Sequence, residues 1–292
     1  MERVDLHTHT TASDGSLRPA ALVSLAVRVG LRALAITDHD GLEGLPEGLE
    51  AGRRLGLEVV PGVELSTHRG GLGSLHLVGL WTEPGGAALG AWLARQRASR
   101  EERNQRLLAR LADLGMPLDP AAVASQAGGP VIGRPHFAQA LVEAGRAASV
   151  ADAFARWLTR GRPAYVERVR PSPEEAIAAL HEAGALAILA HPGLAWQGDR
   201  GRQLEELARL ARSGLDGIEV RHPEHSPEWS ATLEVEARRL GLAPSGGSDF
   251  HGAPKPTVPL GKPPVPAAWL EELRARWRAR RRAGFPATRC PC

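Results

Sequence analysis

Short apolar runs alternate with segments of helical spacing through the first third of the chain. Residues 3–7, 32–37, 58–63 and 74–80 read as strands, with 32–37 the clearest buried-strand candidate. Residues 17–29, with Pro19 near the start, and residues 43–55 carry apolar positions at helical spacing. This β-then-α alternation predicts a parallel sheet, closed or open. The middle of the chain changes character. Residues 87–114 read as one long helix rich in Arg, Leu and Ala, and residues 121–126, 135–144 and 150–158 read as shorter ones. Apart from a brief Pro-Val-Ile stretch, no strand is expected between about residues 84 and 163. The loop over residues 128–135 is the obvious break inside this helical block. The alternation then resumes. Helices are expected at 173–182, 203–212, 228–240 and from 268 to about 283, and strands at 185–190, 217–220 and 242–245. About seven strands favour a closed or nearly closed barrel over an open sheet. The expected division is a barrel from residues 1–85 and 164–292, interrupted by a helical insertion over residues 86–163.

Composition changes this picture little. A chain of 292 residues with 43% hydrophobic and 24% charged content suits one large α/β domain, or a barrel carrying an insertion. No run of about 18 apolar residues suggests a membrane span. The N-terminal residues lack the apolar region of a signal peptide, so a cytoplasmic location is expected. The only cysteines, Cys290 and Cys292, cannot staple the fold and make a poor two-ligand metal site. The net charge of +3 weakly favours anionic substrates, and much of the excess lies between Arg274 and Arg282. Only two lysines occur, Lys255 and Lys262.

The chemistry lies in where polar residues fall. His7 and His9 follow the first strand, with Asp14 in the loop beyond. His39 follows the second strand and Glu64 the third, and His76 lies within the fourth. His191 follows a later strand, and Asp249 and His251 follow the last. Strand ends of a barrel converge on one face, so these nine residues are expected in one cleft. Residues i and i+2 of an extended segment point the same way, so His7 and His9 can grip one ion together. Each residue alone has an ordinary explanation. His76 could be a hydrogen-bonded structural histidine, Asp14 a turn residue, Glu64 a buried ion-pair partner and Asp249 a helix cap. All nine coinciding favours a metal cluster. Six imidazoles and three carboxylates without a thiolate suit manganese, with iron or zinc as alternatives, better than magnesium or calcium. Three carboxylates would overcompensate one divalent ion and repel an anionic substrate, so two or three ions are expected.

These motifs resemble a known family. His7-Thr8-His9 with Asp14, Thr37-Asp38-His39-Asp40, Gly62-Val63-Glu64, Ala190-His191-Pro192 and Ser248-Asp249-Phe250-His251 look like successive motifs of the PHP (polymerase and histidinol phosphatase) superfamily. Gly133-Arg134-Pro135-His136 and Glu219-Val220-Arg221-His222-Pro223 resemble its bacterial nucleotide phosphatases and 5′–3′ exoribonucleases. The resemblance implies a distorted (β/α)7 barrel with a helical insertion, and a trinuclear centre. His7, His9, Glu64 and Asp249 would hold one ion. Glu64, His76 and His191 would hold the second, and Asp14, His39 and His251 the third. No ligand position is lost.

The expected activity is therefore metal-dependent hydrolysis of a phosphate ester, with water ionised at the ions as the nucleophile. Glu64, Asp249 and His191 are the expected catalytic ligands. Arg134 and His136, on the insertion loop, are expected to contact substrate, and His222 is a further candidate. Nucleotides, or short oligonucleotides trimmed from the 5′ end, are the leading substrate class. A small-metabolite phosphatase of the histidinol-phosphate type is the enzymatic alternative, and a non-catalytic nucleic-acid-binding module the alternative of another class. His68 and His225 are expected on surface loops, and His181 as a structural residue within a helix. Asp38 and Asp40 would orient a ligand or shape the turn. In the last helix Trp269, Leu273 and Trp277 form a packing stripe. Its arginines are expected to face solvent rather than to form a nucleic-acid platform, though weak contact with nucleic acid is the sharper alternative.

Overall fold

The computed structural model describes residues 2–70, 73–127, 131–195 and 199–284. The Cys290 and Cys292 tail and residues 128–130 of the predicted loop lie outside them. β1 (Arg3–Asp5), β2 (Ala33–Ile36) and β3 (Glu58–Arg69) run parallel, joined by α1 (Pro19–Arg28) and α2 (Leu45–Leu55). β2 is apolar throughout because helices cover one face and the barrel interior the other; all four of its residues are buried.

β3 runs six residues past the predicted end. It pairs antiparallel with β4 (Gly73–Leu80), from Gly62 opposite Leu80 to Arg69 opposite Gly73. The expected all-parallel sheet is thus broken at its centre. The reason is chain length: three residues cannot make a parallel crossover, which needs a dozen or more, but they can turn a hairpin. Glu64 consequently projects from mid-hairpin and not from a strand end, while His76 lies within β4 as expected.

The chain then leaves the barrel. α3 (Ala87–Asp113) buries Leu89, Trp92 and Leu93 in the barrel core with its first turns. Leu107 and Leu111, further along, join a second apolar cluster. That cluster also takes Val123 from α4 (Pro120–Ala124) and Phe137 and Leu141 from α5 (Arg134–Glu143). Ala153 of α6 (Val150–Ala153) and Leu158, in the π turn that extends α6, complete it. The long helix is therefore the beam that ties the helical block to the barrel.

α7 (Pro173–Glu182) begins where its sequence signals placed it. Ser172 Oγ accepts from Glu175 N at 3.3 Å, and Glu175 Oε2 accepts from Ser172 N at 2.7 Å, a reciprocal cap. β5 (Leu186–Leu189), the unanticipated short α8 (Pro192–Ala195), α9 (Arg200–Arg212), β6 (Gly217–Arg221), α10 (Pro227–Arg239) and β7 (Ala243–Gly246) follow. A two-residue β8 (Val265–Pro266), missed in the Pro-rich loop, pairs antiparallel with β1. The sheet order is β7-β6-β5-β4-β3-β2-β1-β8. It nearly closes into a barrel where the continuations of β1 and β7 meet. There Leu6 N donates to Gly246 O at 3.2 Å, Asp249 N to His7 O at 2.9 Å and His9 N to Phe250 O at 3.0 Å.

α11 (Ala267–Ala283) seals the opposite end of the barrel. Trp269, Leu270 and Leu273 enter the core, and Trp277 stacks on Trp81. Its arginines are largely occupied. Arg274 pairs with Glu58 and Glu271, Arg276 donates to Gly241 O at 2.6 Å, and Arg280 Nε lies 2.5 Å from buried Asp216. Glu58 opens β3, Asp216 immediately precedes β6 and Gly241 lies just before β7, all on the side away from the converging ligands. No helix among the described residues is long and apolar enough to cross a membrane.

Candidate metal centre

The nine sequence-predicted ligands meet around Glu64, which is buried on β3. Its Oε2 lies 3.3 Å from His7 Nε2, 3.2 Å from His9 Nε2 and 2.9 Å from His39 Nδ1. Its Oε1 lies 2.7 Å from His76 Nδ1 and 2.9 Å from His191 Nε2. Asp249 Oδ1 closes one side, 3.2 Å from His9 Nε2 and 3.7 Å from His7 Nε2, while the two imidazole nitrogens are 3.1 Å apart. An ion about 2.0–2.1 Å from four tetrahedral donors keeps them roughly 3.4 Å apart. The His7, His9, Glu64 and Asp249 donors match that spacing.

Two further groups adjoin this cage. His9, Asp14, His39 and His251 converge, with Asp14 Oδ1 3.3 Å from His251 Nε2 and Asp14 Oδ2 3.7 Å from His39 Nε2. His39, Glu64 and His76 form the third group. The third group holds His39 where His191 was expected, and His191 instead adjoins it, on the same Glu64 oxygen as His76.

The backbone is bent to present these side chains. The ligands His191 and Asp249 adopt left-handed φ values of 28° and 52°, and Asp40, beside His39, one of 47°. For non-glycine residues such conformations cost about 1–3 kcal/mol each and persist where surrounding structure over-determines them. Gly247 lets the segment after β7 press against β1: a Cβ there would stand 2.5 Å from His7 N. Asp38 ties down the loop bearing Asp14, accepting from Thr10 N at 2.7 Å and Ser13 Oγ at 2.6 Å. Asp5 accepts from Ser248 N, Ser248 Oγ and Gly261 N, fastening the Asp249 segment to β1.

The electrostatics follow from this crowding. Burial disfavours charge here and wins at His76 and His251, which it pushes below an ordinary imidazole, but at Glu64, Asp249, His7 and His9 the mixture of signs overrides it. His39, His7 and His76 hold Glu64 well below the usual carboxylate range, and His7 does the same for Asp249. Against burial, Glu219, Glu64 and Asp249 raise His7 well above an ordinary imidazole, and Asp249 and Glu64 lift His9 to about 9. A divalent cation offers the same charge compensation to this donor set.

Several contributors were not foreseen. Glu219, buried on β6, reaches His7 Nδ1 at 2.9 Å and accepts from His191 N at 2.6 Å. Lys255 Nζ lies 2.5 Å from Asp249 Oδ2. Asp40 faces away from the metal donors and pairs with Arg100 of α3 and with Arg168. The available signal for Glu219 was a carboxylate inside the otherwise apolar run Gly-Ile-Glu-Val. The arginines carried none.

A cavity of about 390 Å³ joins the donor cluster to the helical block. Asp14, His39, His76 and His191 line one end, and Arg100, Arg103, Arg134, Arg168 and Arg170 line the rest with Tyr165. Arg103 is only 4% exposed and has no carboxylate partner among the described residues. Burial, reinforced by Arg100, Arg134 and Arg168, pushes its guanidinium down to about 9. Arg134, the first residue of α5, donates to Leu158 O at 3.3 Å and lies over the Phe154 and Tyr165 rings. His136 lines the cavity but also caps α5, its Nδ1 accepting from Gly133 N at 2.9 Å.

Three histidines differ from expectation. His222 is buried behind Asp249, 3.5 Å from its Oδ2, and does not line the cavity, because β6 ends in a turn packed on His191 and His225. His225 is not on the surface: it accepts from Gly193 N at 3.2 Å, and burial pushes it down to about 4. His68 lies on β3 and not in a loop, since the strand is longer than predicted. His181 is buried within α7 against Asp216 at 2.8 Å.

A family model described as the PHP domain matches residues 5–113. The 5′-3′ exoribonuclease Rnm of Salmonella typhimurium is 38% identical over 280 residues, covering 94% of this chain and 93% of that protein. The 3′,5′-nucleoside bisphosphate phosphatase of Chromobacterium violaceum is 34% identical over 290 residues, covering 94% of this chain and 98% of that one. The solved structure of a Bifidobacterium adolescentis protein, provisionally assigned as a metal-dependent phosphoesterase, matches with a TM-score of 0.83 at 34% identity, over 94% of this chain and 96% of that chain.

Proposed function

Since this chain belongs to the PHP family and is a metal-dependent phosphoesterase, we propose that it hydrolyses phosphate esters of nucleotides. Nucleoside 3′,5′-bisphosphates or the 5′ ends of short oligonucleotides are the substrates. The observation that carries this reading is the cavity in which four of the candidate ligands, Asp14, His39, His76 and His191, face five guanidinium groups. Asp40 pairs with two of them, which leaves Arg103, Arg134 and Arg170 free of carboxylate partners among the described residues. One phosphate monoester at the metal end does not require so much positive charge; a second phosphate does. The volume suits a nucleotide-sized ligand, and the names of the two relatives point the same way.

Two or three divalent ions would be held by the three donor groups. The imidazole-rich, thiolate-free set favours manganese, then iron or zinc. Bound there, such ions ionise water near neutral pH and neutralise phosphoryl oxygens. Glu64 has the central role among the catalytic ligands, because its two oxygens face different donor groups. Asp249 completes the buried cage and His191 sits on the other oxygen of Glu64. Arg103, Arg134 and Arg170 grip the non-reacting phosphate by planar, charge-assisted contacts. His136, with Nδ1 committed to Gly133, offers its remaining ring nitrogen to substrate. Residues 86–163 act as a cap carrying Arg103, Arg134 and His136, with Arg170 in the segment that follows, and His222 supports Asp249 from behind. The basic side of α11 lies at the far end of the barrel and takes no part.

A substrate panel with Mn²⁺ tests this. The kcat/KM for a nucleoside 3′,5′-bisphosphate or 5′-phosphorylated RNA should exceed that for a mononucleotide or histidinol phosphate by about 10²-fold, as losing a desolvated charge pair predicts. Equal turnover of histidinol phosphate would return the enzyme to the small-metabolite class.

A further inference from the structure

We propose that Glu219 is a positioning residue for the metal cage, setting the orientation and tautomer of His7 and the placement of His191. It rests on the metal-centre reading given above. On β6, Ile218 and Val220 pack into the barrel core and Glu219 is buried with them. Its two oxygens have separate tasks. Oε1 lies 2.9 Å from His7 Nδ1, and Oε2 accepts from His191 N at 2.6 Å.

An ionised carboxylate only accepts. Facing Oε1, His7 Nδ1 keeps its proton, so the proton a metal ion would displace is the one on Nε2, the nitrogen directed toward His9, Glu64 and Asp249. Oε2 fixes the backbone of His191 at its left-handed φ, ahead of Pro192, where the ring meets Glu64. One side chain thereby sets two donors that approach Glu64 from different strands. A carboxylate behind a metal-binding histidine is a general device for fixing ligand geometry and raising basicity.

Glu219→Gln is a sharp test because the amide offers one acceptor and one donor where two acceptors are needed. If its NH₂ faces His7, Nδ1 must accept, so Nε2 holds the proton and cannot bind a metal. If its NH₂ faces His191 N, two donors collide. Metal-free wild type, Glu219→Gln and Glu219→Asp would be titrated with Mn²⁺ by calorimetry, and their melting followed without metal. The expected result for Glu219→Gln is a 10–100-fold loss of affinity for the tightest equivalent, with a metal-free melting temperature close to wild type. Glu219→Asp, which keeps two acceptors, should recover part of the loss. Wild-type affinity in Glu219→Gln would overturn the proposal. So would Glu219→Asp faring no better than Glu219→Gln, or both metal-free variants being unfolded, which would make the residue purely structural. The readout uses no substrate. A wild type that binds Mn²⁺ but ignores nucleotides therefore sinks the substrate reading and leaves this one standing.

Discussion

Replacing Arg103 with methionine should make the protein more stable and a poorer enzyme on bisphosphates. The guanidinium is 4% exposed, surrounded by Arg100, Arg134, Arg168 and Arg170, and lacks a carboxylate partner among the described residues. Burial, then those neighbours, depress it from the ordinary arginine range to about 9. A tenfold change in a protonation equilibrium is worth ~1.4 kcal/mol, so holding the charge there corresponds to roughly 5 kcal/mol as an upper figure. The sign follows from the depressed value of a base. The cost is fully present below about pH 9 and disappears as pH rises from there toward the ordinary arginine range. Apolar replacement of buried charge typically recovers ~1–4 kcal/mol, which should raise the melting temperature of the metal-free protein by several degrees. The same substitution removes a desolvated partner for the second phosphate. It should lower kcat/KM for a nucleoside 3′,5′-bisphosphate by ~30–1,000-fold, equivalent to ~2–4 kcal/mol. A generic aryl phosphate, lacking that group, should change less than about threefold. Melting curves and parallel kinetics on both substrates decide the matter. Reduced stability with unchanged bisphosphate kinetics would refute the reasoning, since the arginine would then be a structural residue satisfied in the free protein.

Other perturbations separate the metal centre from its frame. Glu64→Gln should abolish most metal binding and cut activity by at least ~10³-fold; full metal loading with normal turnover would remove Glu64 from its central role. Chelation should silence the enzyme reversibly, with activity returning on Mn²⁺ addition; undiminished turnover in the exhaustively dialysed protein would contradict metal dependence. His225, pushed down to about 4 by burial, contributes stability that is present above its unfolded value near 6.5 and is lost as pH falls from there to 4. That loss is on the order of 3 kcal/mol. His225→Gln should flatten the difference between urea midpoints at pH 7 and pH 4.5, and an equally steep decline would exclude this histidine as its source. Arg280→Ala leaves buried Asp216 without its guanidinium. It should destabilise by ~3–5 kcal/mol while leaving kcat/KM of the folded protein unchanged; altered kinetics would connect the far end of the barrel to the cleft.

The candidate ligands could be read from the sequence by itself. His7, His9, His39, His191, Asp249 and His251 were legible because a buried strand announces itself as an apolar run and the residues after it point to one face of a barrel. Glu64 was expected just after its strand, and His76 within one. The hairpin between β3 and β4, joined by three residues, places them mid-strand. Only the tertiary structure decided which side chains support the ligands and what the cavity wants. Glu219 and His7 are 212 positions apart and share a hydrogen bond that no local pattern encodes. Arg100, Arg103, Arg168 and Arg170 look like solvated charges along the chain, while Arg274, Arg276 and Arg280 look like a free basic stripe. Packing reverses both impressions: the first group is gathered into a cleft with too few carboxylates, and the second is spent on Glu58, Gly241 and Asp216. Ligand identity survives in one dimension because chemistry and strand periodicity are local. Charge balance and burial depend on what else occupies the same volume, and only the folded chain defines that.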